Sequence, residues 1–313
     1  MNKKYFHEEW PKEEQELKMS LEASRRNNKE RSMNKNKLKI LITGADGFIG
    51  KNLKKYLMSK GHGIAEYEFI ENVVPDCSQF DKVLHMGAIS STTERDVEKV
   101  LKQNLDFSHR LMQVCDMQGV DLIYASSASI YGDGTNFQED APKQPQSPYS
   151  WSKYLFDRGV EMIKWEDYKC NIKGLRFFNV YGEHEEHKGD QMSVFHKFKA
   201  QAKETGKVHP FVGSSEFLRD FIYVGDVCKI IEKMMHIDEM GIWNVGTGET
   251  TSFTTIAHSI ANKYNAKVEP IPMPDNLVSQ YQKYTCSDNT KLIKTIGEFK
   301  FTKPEEWIET WQD

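Results

Sequence analysis

The chain has 313 residues, 38% hydrophobic and 12% aromatic, enough for about two packed units or one large α/β unit with an appendage, and too apolar for a disordered tail. Its 42 basic and 46 acidic side chains nearly cancel to −4 and are scattered, which argues against binding nucleic acid or an anionic membrane. No run approaches the roughly 18 apolar residues of a spanning helix, and charge stands where a signal peptide has its apolar stretch, so a cytoplasmic protein is expected.

Residues 1–37 carry ten Lys/Arg and seven Asp/Glu with few aliphatics. Such an arm cannot bury a core of its own, although Pro11 to Arg31 is rich in helix formers. From Leu38 the pattern changes to an apolar strand, Leu38 to Thr43, a glycine turn, Gly44 to Gly50, and an amphipathic helix, Phe48 to Lys60, closed by Gly61. Strand-like runs follow at Ile64 to Ile70, Lys82 to Ala88, Asp121 to Ser127, Lys173 to Val180 and Gly241 to Val245. Ser91-Thr92-Thr93-Glu94 reads as a capping box opening a helix that reaches Gln118 and stops at Gly119, and Ser147-Pro148 opens another.

Alternating strands and helices predict an α/β fold, a doubly wound parallel sheet of Rossmann type covered on both faces. Only eleven residues, Glu71 to Asp81, separate the second strand from the third, so the sheet is expected to lack one outer strand and to run 2-1-4-5-6 in the nomenclature of the six-stranded form. The expected organisation is the arm, 1–37, a dinucleotide-binding domain, 38–180, and a smaller C-terminal α/β substrate-binding domain, 181–313, with the Gly241 to Val245 strand returning to the main sheet. Cys77, Cys115, Cys170, Cys228 and Cys286 have neither disulfide-framework nor zinc spacing and read as buried free thiols; His184 and His187 sit in a charged loop and make a poor metal site, so no metal is expected.

Gly44, Gly47 and Gly50 form G-x-x-G-x-x-G between strand and helix, which gives a tight bend, close backbone approach to a pyrophosphate and a helix N-terminus with free N–H groups. Phe48 and Ile49 belong to the same turn. Glu68 lies 24 residues beyond Gly44, near the spacing of a carboxylate that accepts from a ribose 2′-OH, and no Lys or Arg occurs from Gly61 through Asp81. A 2′-phosphate would meet carboxylates there, which favours NAD over NADP.

Tyr149-Ser150-Trp151-Ser152-Lys153 puts a phenol and an ammonium on one helical face. The cation is expected to lower the phenol's pKa and make Tyr149 a usable acid/base. Ser127 ends a buried-strand pattern, at the sheet edge where ligands of open α/β folds sit, and can hydrogen-bond a substrate oxygen beside Tyr149.

These residues, together with His85-Met86-Gly87-Ala88, Ser90-Ser91-Thr92-Thr93-Glu94, Phe178-Asn179-Val180-Tyr181-Gly182, His187-Lys188-Gly189, Arg219-Asp220-Phe221 and Asn244-Val245-Gly246-Thr247-Gly248, resemble the extended short-chain dehydrogenase/reductase family over about Lys39 to Lys303. The resemblance implies a nucleotide-sugar epimerase that inverts C6 of an ADP-glyceromanno-heptose by transient oxidation to a ketone, with Ser127, Tyr149 and Lys153 catalytic and Lys188 a second acid/base. It also implies cofactor contacts at Met86, Gly87, Ala88, Ser90, Asn104 and Val180. Substrate contacts are implied at Ser91, Thr92, Asn179, Lys188, His196, Phe211, Val212, Gly213, Ser214, Arg219 and Tyr281. The resemblance favours NADP, against the reading from Glu68, so the cofactor is expected to be NAD(P). A homo-oligomer is expected. The alternatives are another nucleotide-sugar 4-epimerase, reductase or dehydratase of the same fold, and a non-catalytic dinucleotide sensor that would need none of the four reactive residues; Ala128-Ser129 after Ser127 argues against dehydration.

Overall fold

A computed structural model describes residues 37–275 and 282–312. The candidate helix from Pro11 to Arg31 lies outside the described residues. In chain order, β1 (Lys39–Thr43) leads through the glycine turn into α1 (Phe48–Ser59), followed by β2 (Gly63–Tyr67) and β3 (Lys82–His85). Next comes α2, one continuous helix that is α-helical over Val97–Val100, π-helical over Leu101–Asp106 and α-helical again over Phe107–Gln118. β4 (Asp121–Ser127), α3 (Pro148–Glu161), β5 (Ile172–Phe177) and β6 (Asn179–Tyr181) follow. Beyond them lie α4 (Val194–Thr205), β7 (Lys207–Val208), β8 (Leu218–Arg219), β9 (Phe221–Tyr223), α5 (Val224–Met235), β10 (Gly241–Val245), β11 (Thr251–Ser252), α6 (Phe253–Tyr264), β12 (Lys267–Val268), β13 (Tyr284–Thr285), α7 (Thr290–Ile296) and α8 (Pro304–Thr310).

The main sheet is parallel throughout, in the order β10-β5-β4-β3-β1-β2. This is the expected sheet with its outer strand missing and with Gly241–Val245 added beyond β5. Its strand order reverses between β1 and β3, so the crevice for a ligand opens beyond the carboxyl ends of those two strands. β3 is shorter than the apolar run suggested: after His85 the chain bends toward the glycine turn, and Met86 N–H donates to Thr43 O at 3.0 Å.

Ser91 does not open α2. Its hydroxyl accepts from the N–H groups of Thr93 (3.2 Å) and Glu94 (3.1 Å), but the Glu94 carboxylate then takes the N–H groups of Arg95 (2.9 Å) and Asp96 (3.1 Å) and closes a separate turn. The helix starts after Asp96, whose carboxylate accepts from Lys99 N–H at 3.0 Å. Ser147-Pro148 does open α3: Ser147 and Ser150 exchange side chain to backbone bonds of 3.1 and 2.9 Å, with Pro148 in the first helical position.

One face of the sheet, from Ile40, Ile42, Leu84, Ile123 and Leu175, packs against Leu53 and Leu57 of α1 and the Val227, Ile230, Ile231 and Met234 stripe of α5. The other face, from Leu41, Val83, Leu122 and Tyr124, packs against α2 and α3 through Leu111, Cys115, Phe156 and Val160. A separate aromatic core joins Tyr181 to Phe195, stacked at 4.2 Å, and to Phe221, Trp307 and Trp311. All five cysteines are free thiols; four are buried and Cys286 is half-buried. Among the described residues no helix is long and apolar enough to cross a membrane.

Lys173 breaks the apolar pattern at the amino end of β5. It is fully buried and its Nζ has no hydrogen-bond partner among the described residues. Burial pushes its pKa down to about 8, against the pull of Asp121, while Lys82, bonded to Asp121 at 2.5 Å, pushes the same way as burial. A folded value below the ordinary 10.5 means that the unfolded chain binds more protons between those limits, so stability rises as pH climbs from about 8 toward 10.5. Lys173→Met is expected to stabilise the protein by about 2 kcal/mol near pH 7, with the gain shrinking above pH 8 as Lys173 discharges. Thermal melts of both proteins across that range test this; an equal gain at every pH would refute it.

Candidate active site

The glycine turn and the loop after β3 meet backbone to backbone. Gly44 has φ +69°, and a Cβ there would stand 2.3 Å from the Cα of Gly87; one on Gly50 would stand 2.0 Å from the Gly44 carbonyl oxygen. Phe48 begins α1, its N-cap is Gly47 with no side-chain cap, and the first turn holds no acidic residue. Free N–H groups and the helix dipole therefore face a cradle without side chains, and these residues fit the pyrophosphate of a dinucleotide. Glu68 reaches this turn directly, its carboxylate accepting from Asp46 N–H at 3.0 Å, while Glu66 turns to Lys54 at 2.8 Å. Ile49 and Val180 pack at the edge of the main core.

The loop carrying Met86, Gly87, Ala88 and Ser90 is held by Asn104, from the π-helical part of α2. The Asn104 amide accepts from Ile89 N–H (2.8 Å) and donates to Ile89 O (2.9 Å) and to Ser152 Oγ (3.1 Å). Asn104 is buried, so it acts on the crevice through this loop and through α3. His85 bridges Thr43 (2.6 Å) and Ser108 (2.8 Å); burial, with Lys153 nearby, pushes its pKa down to about 3 and keeps it neutral.

Ser127 at the end of β4 and Tyr149 in the first turn of α3 come together, with the Ser127 hydroxyl near enough to the phenol to act on its pKa. Lys153, one turn further along α3, donates to the Ala125 carbonyl at 2.8 Å. Burial pushes Lys153 down to about 8, and Asp157, a further turn on, pulls it back up. The expected acidification of Tyr149 is not found. Burial raises its pKa, the Ser127 hydroxyl lowers it and Asp157 raises it again, with burial the largest effect.

Asp157 went unnoticed in the sequence. It is fully buried and accepts from Tyr124 OH (2.9 Å), Ser126 Oγ (2.9 Å) and Arg176 Nε (2.7 Å). Arg176, also buried, reaches Glu161 at 3.0 Å. The signal was available, since Asp157 follows Tyr149 and Lys153 at the same four-residue stride.

Lys188 lies against the glycine turn. Its ammonium lies 3.2 Å from Glu185 and 4.8 Å from the centre of the Phe48 ring, so it touches the dinucleotide turn. Three residues later Gln191 donates to Ser91 Oγ (2.5 Å) and Thr93 Oγ1 (3.2 Å), which joins the two loops the sequence singled out; Thr92 lies exposed between them.

The remaining candidates differ in exposure and partners. Asn179 is exposed on β6 and accepts from Thr285 Oγ1 at 3.3 Å. Phe211 pairs with Ile271, Val212 and Gly213 are exposed, and Ser214 is buried against Thr254 at 2.8 Å. Arg219 donates to the carbonyls of Leu218 (3.0 Å) and Gln282, with its guanidinium 5.5 Å from the centre of the Phe253 ring. Asp220 turns away from it to bind Thr247 N–H (2.7 Å), Gly248 N–H (3.1 Å) and Ser287 Oγ (2.5 Å). His196 is buried, bonded to the Gly182 carbonyl at 2.7 Å and edge-on to Trp311, away from an open surface. Tyr281 lies outside the described residues.

The sequence model of the NAD dependent epimerase/dehydratase family matches residues 40–246. The chain belongs to that family. It is 32% identical to an ADP-L-glycero-D-manno-heptose-6-epimerase from Alkalilimnicola ehrlichii, over 88% of this chain and 96% of that protein. The crystal structure of the Helicobacter pylori ADP-L-glycero-D-manno-heptose-6-epimerase superposes with a TM-score of 0.76 at 25% identity, covering 88% of this chain and 95% of that one. A Thermus thermophilus UDP-glucose 4-epimerase in complex with NAD gives a TM-score of 0.66 at 25% identity, covering 87% and 96%.

Gly50→Ala drives a methyl into the Gly44 carbonyl, and overpacking of this kind costs about 1–3 kcal/mol. The variant is expected to melt lower and to bind dinucleotide more weakly, read by thermal melts and a fluorescence titration; unchanged affinity would contradict the cradle.

Proposed function

We propose that this chain is a nucleotide-sugar epimerase that inverts C6 of an ADP-glyceromanno-heptose by transient oxidation to a ketone and re-reduction on the opposite face. The observation that carries the reading is that the chain holds two separate proton-transfer groups, Tyr149 beside Ser127 at the end of β4 and Lys188 resting on Phe48 at the glycine turn. The heptose-epimerase relatives support the sugar, and the 4-epimerase relative supports the reaction class.

A bound nicotinamide dinucleotide supplies a hydride acceptor that later returns the hydride. The glycine turn and the α1 N-terminus would hold its pyrophosphate, Glu68 the adenosine ribose, and the Met86 to Ser90 loop, braced by Asn104, the wall beside it. Ser127 hydrogen-bonds the C6 oxygen and Tyr149 takes the hydroxyl proton in one orientation of that carbon. Lys153 supplies the positive charge that stabilises the phenolate form of Tyr149 that accepts this proton. After the ketone turns its other face, Lys188 handles the proton at the same oxygen. Two proton-transfer groups are what inversion asks for, because each orientation of the carbinol then has its own partner. Asn179, Ser214 and Arg219 would contact the nucleotide diphosphate, the Arg fork suiting phosphate oxygens. The carboxylate of Glu68 on the turn supports NAD rather than NADP, since it would repel a 2′-phosphate.

Incubated with ADP-D-glycero-D-manno-heptose, the protein is expected to yield the L-glycero epimer, followed at C6 by NMR; no epimer, alongside turnover of a UDP- or GDP-hexose, would overturn the sugar assignment. Tyr149→Phe is expected to lower kcat by about 10²–10⁴-fold with an unchanged circular-dichroism spectrum. Dinucleotide released on denaturation is expected to lack a 2′-phosphate, measured by mass; finding NADP would reverse the role given to Glu68.

A further inference from the structure

We propose that Glu185 is a positioning residue that fixes the Lys188 ammonium against the dinucleotide turn; this rests on the reading of Lys188 as the second acid/base. Glu185 stands in an acidic loop, His184-Glu185-Glu186-His187, where solvated carboxylates would be ordinary, yet its side chain is fully buried. A buried carboxylate persists only when paired and hydrogen-bonded. Glu185 has both: it accepts from Ser193 N–H at 2.7 Å and Gly182 N–H at 3.3 Å, and its remaining partner is Lys188 at 3.2 Å. His196 Nε2 lies 4.0 Å away but is engaged with the Gly182 carbonyl at 2.7 Å.

The loop that carries this pair is anchored to the crevice at both ends. Asn52 of α1 donates to Phe48 O (2.9 Å) and to Glu183 O (2.8 Å), so the helix of the glycine turn grips the loop's start. Gln191 grips Ser91 and Thr93 at its end. Between the anchors, His184 and Gly189 take positive φ values of 68° and 52°, which folds the backbone back on itself. Glu183 is occupied elsewhere, accepting from Tyr223 OH (3.1 Å) and Trp307 Nε1 (2.9 Å). The tip of Lys188 therefore has one carboxylate behind it and one aromatic face beside it. A long side chain held in this way has its rotamer entropy already spent before substrate arrives.

A double-mutant cycle on the full chain tests the proposal. Wild type, Glu185→Gln, Lys188→Met and the double variant are mixed separately with the D-glycero and L-glycero epimers of the ADP-heptose, and the first-turnover rise at 340 nm is recorded. Glu185→Gln and Lys188→Met are expected to slow the same one of the two epimers, the former by about 10²-fold, as a displaced group does. In the Lys188→Met background, Glu185→Gln is expected to add nothing, because residues acting as one unit are not additive. Should Glu185→Gln fail to fold, Glu185→Asp, which keeps the charge but withdraws it, is expected to give the same asymmetry. A readout independent of turnover is the ¹³Cε signal of Lys188, identified by its loss in Lys188→Met: shielded by the Phe48 ring in wild type, it should move to an unshielded position in Glu185→Gln. Equal slowing of both epimers, equal loss in both backgrounds, or an unmoved signal would overturn the role of Glu185. If Lys188→Met slows neither epimer, the acid/base reading of Lys188 falls instead.

Discussion

The constraint on which the crevice depends is the backbone contact between the turn after β1 and the loop after β3. The two segments touch at the point where the strand order reverses; Gly44 has no room for a methyl group, and one on Gly87 would stand 3.1 Å from the Gly44 nitrogen and press the turn aside. Each part of the crevice is referred to that contact. Glu68 is pinned to the turn through Asp46, Asn104 fixes the β3 loop through Ile89 and fixes α3 through Ser152, and Phe48 offers its ring to Lys188. A widening of β1 from β3 would thus move the acid/base groups as well as the cradle.

The electrostatics of the site are a compromise around Asp157. Its burial raises its own pKa and is opposed chiefly by Arg176, with help from Ser126 and Tyr124. The charge so held pulls Lys153 back up against burial, which suits a cation beside a phenolate, yet the same charge raises Tyr149. Lys153 meanwhile donates to Ala125, so the direction of Tyr149 is decided by burial. Removing a single partner from a buried charge pair exposes the other to the full cost of desolvation, which binds Asp157 and Arg176 to each other.

What the sequence made legible was local. The glycine spacing, the Tyr149 to Lys153 stride, the Ser147-Pro148 helix start and the bounds of Asp121–Ser127 and Gly241–Val245 depend on residues a few positions apart, and each is found where its pattern put it. The missing outer strand was legible too, because chain length limits what a crossover can contain. The failures were non-local. Ser91 looked like a helix cap, but Glu94 turns to the N–H groups of Arg95 and Asp96 and closes a separate turn, and Asp96 takes the cap. Glu185 drew no notice because nothing in its neighbourhood reveals that Ser193 and Lys188 fold over it. The phenol's direction followed from burial, which a four-residue motif does not encode.

The π-helical stretch of α2 carries a consequence for how this chain can change. Asn104 reaches Ile89 and Ser152 only because the helix is unwound there, with α-helix on either side. A π-helical turn closes on i→i+5 bonds and holds about one residue more than an α-helical turn, so losing one residue between Leu101 and Asp106 would restore regular α-helix with its two flanks still in phase. The Leu111 and Cys115 contacts would survive, whereas Asn104, set in the wide turn, would lose its reach to Ile89 and Ser152. A chain shortened by one residue here would keep its helix packing and need a different brace for the wall of the crevice.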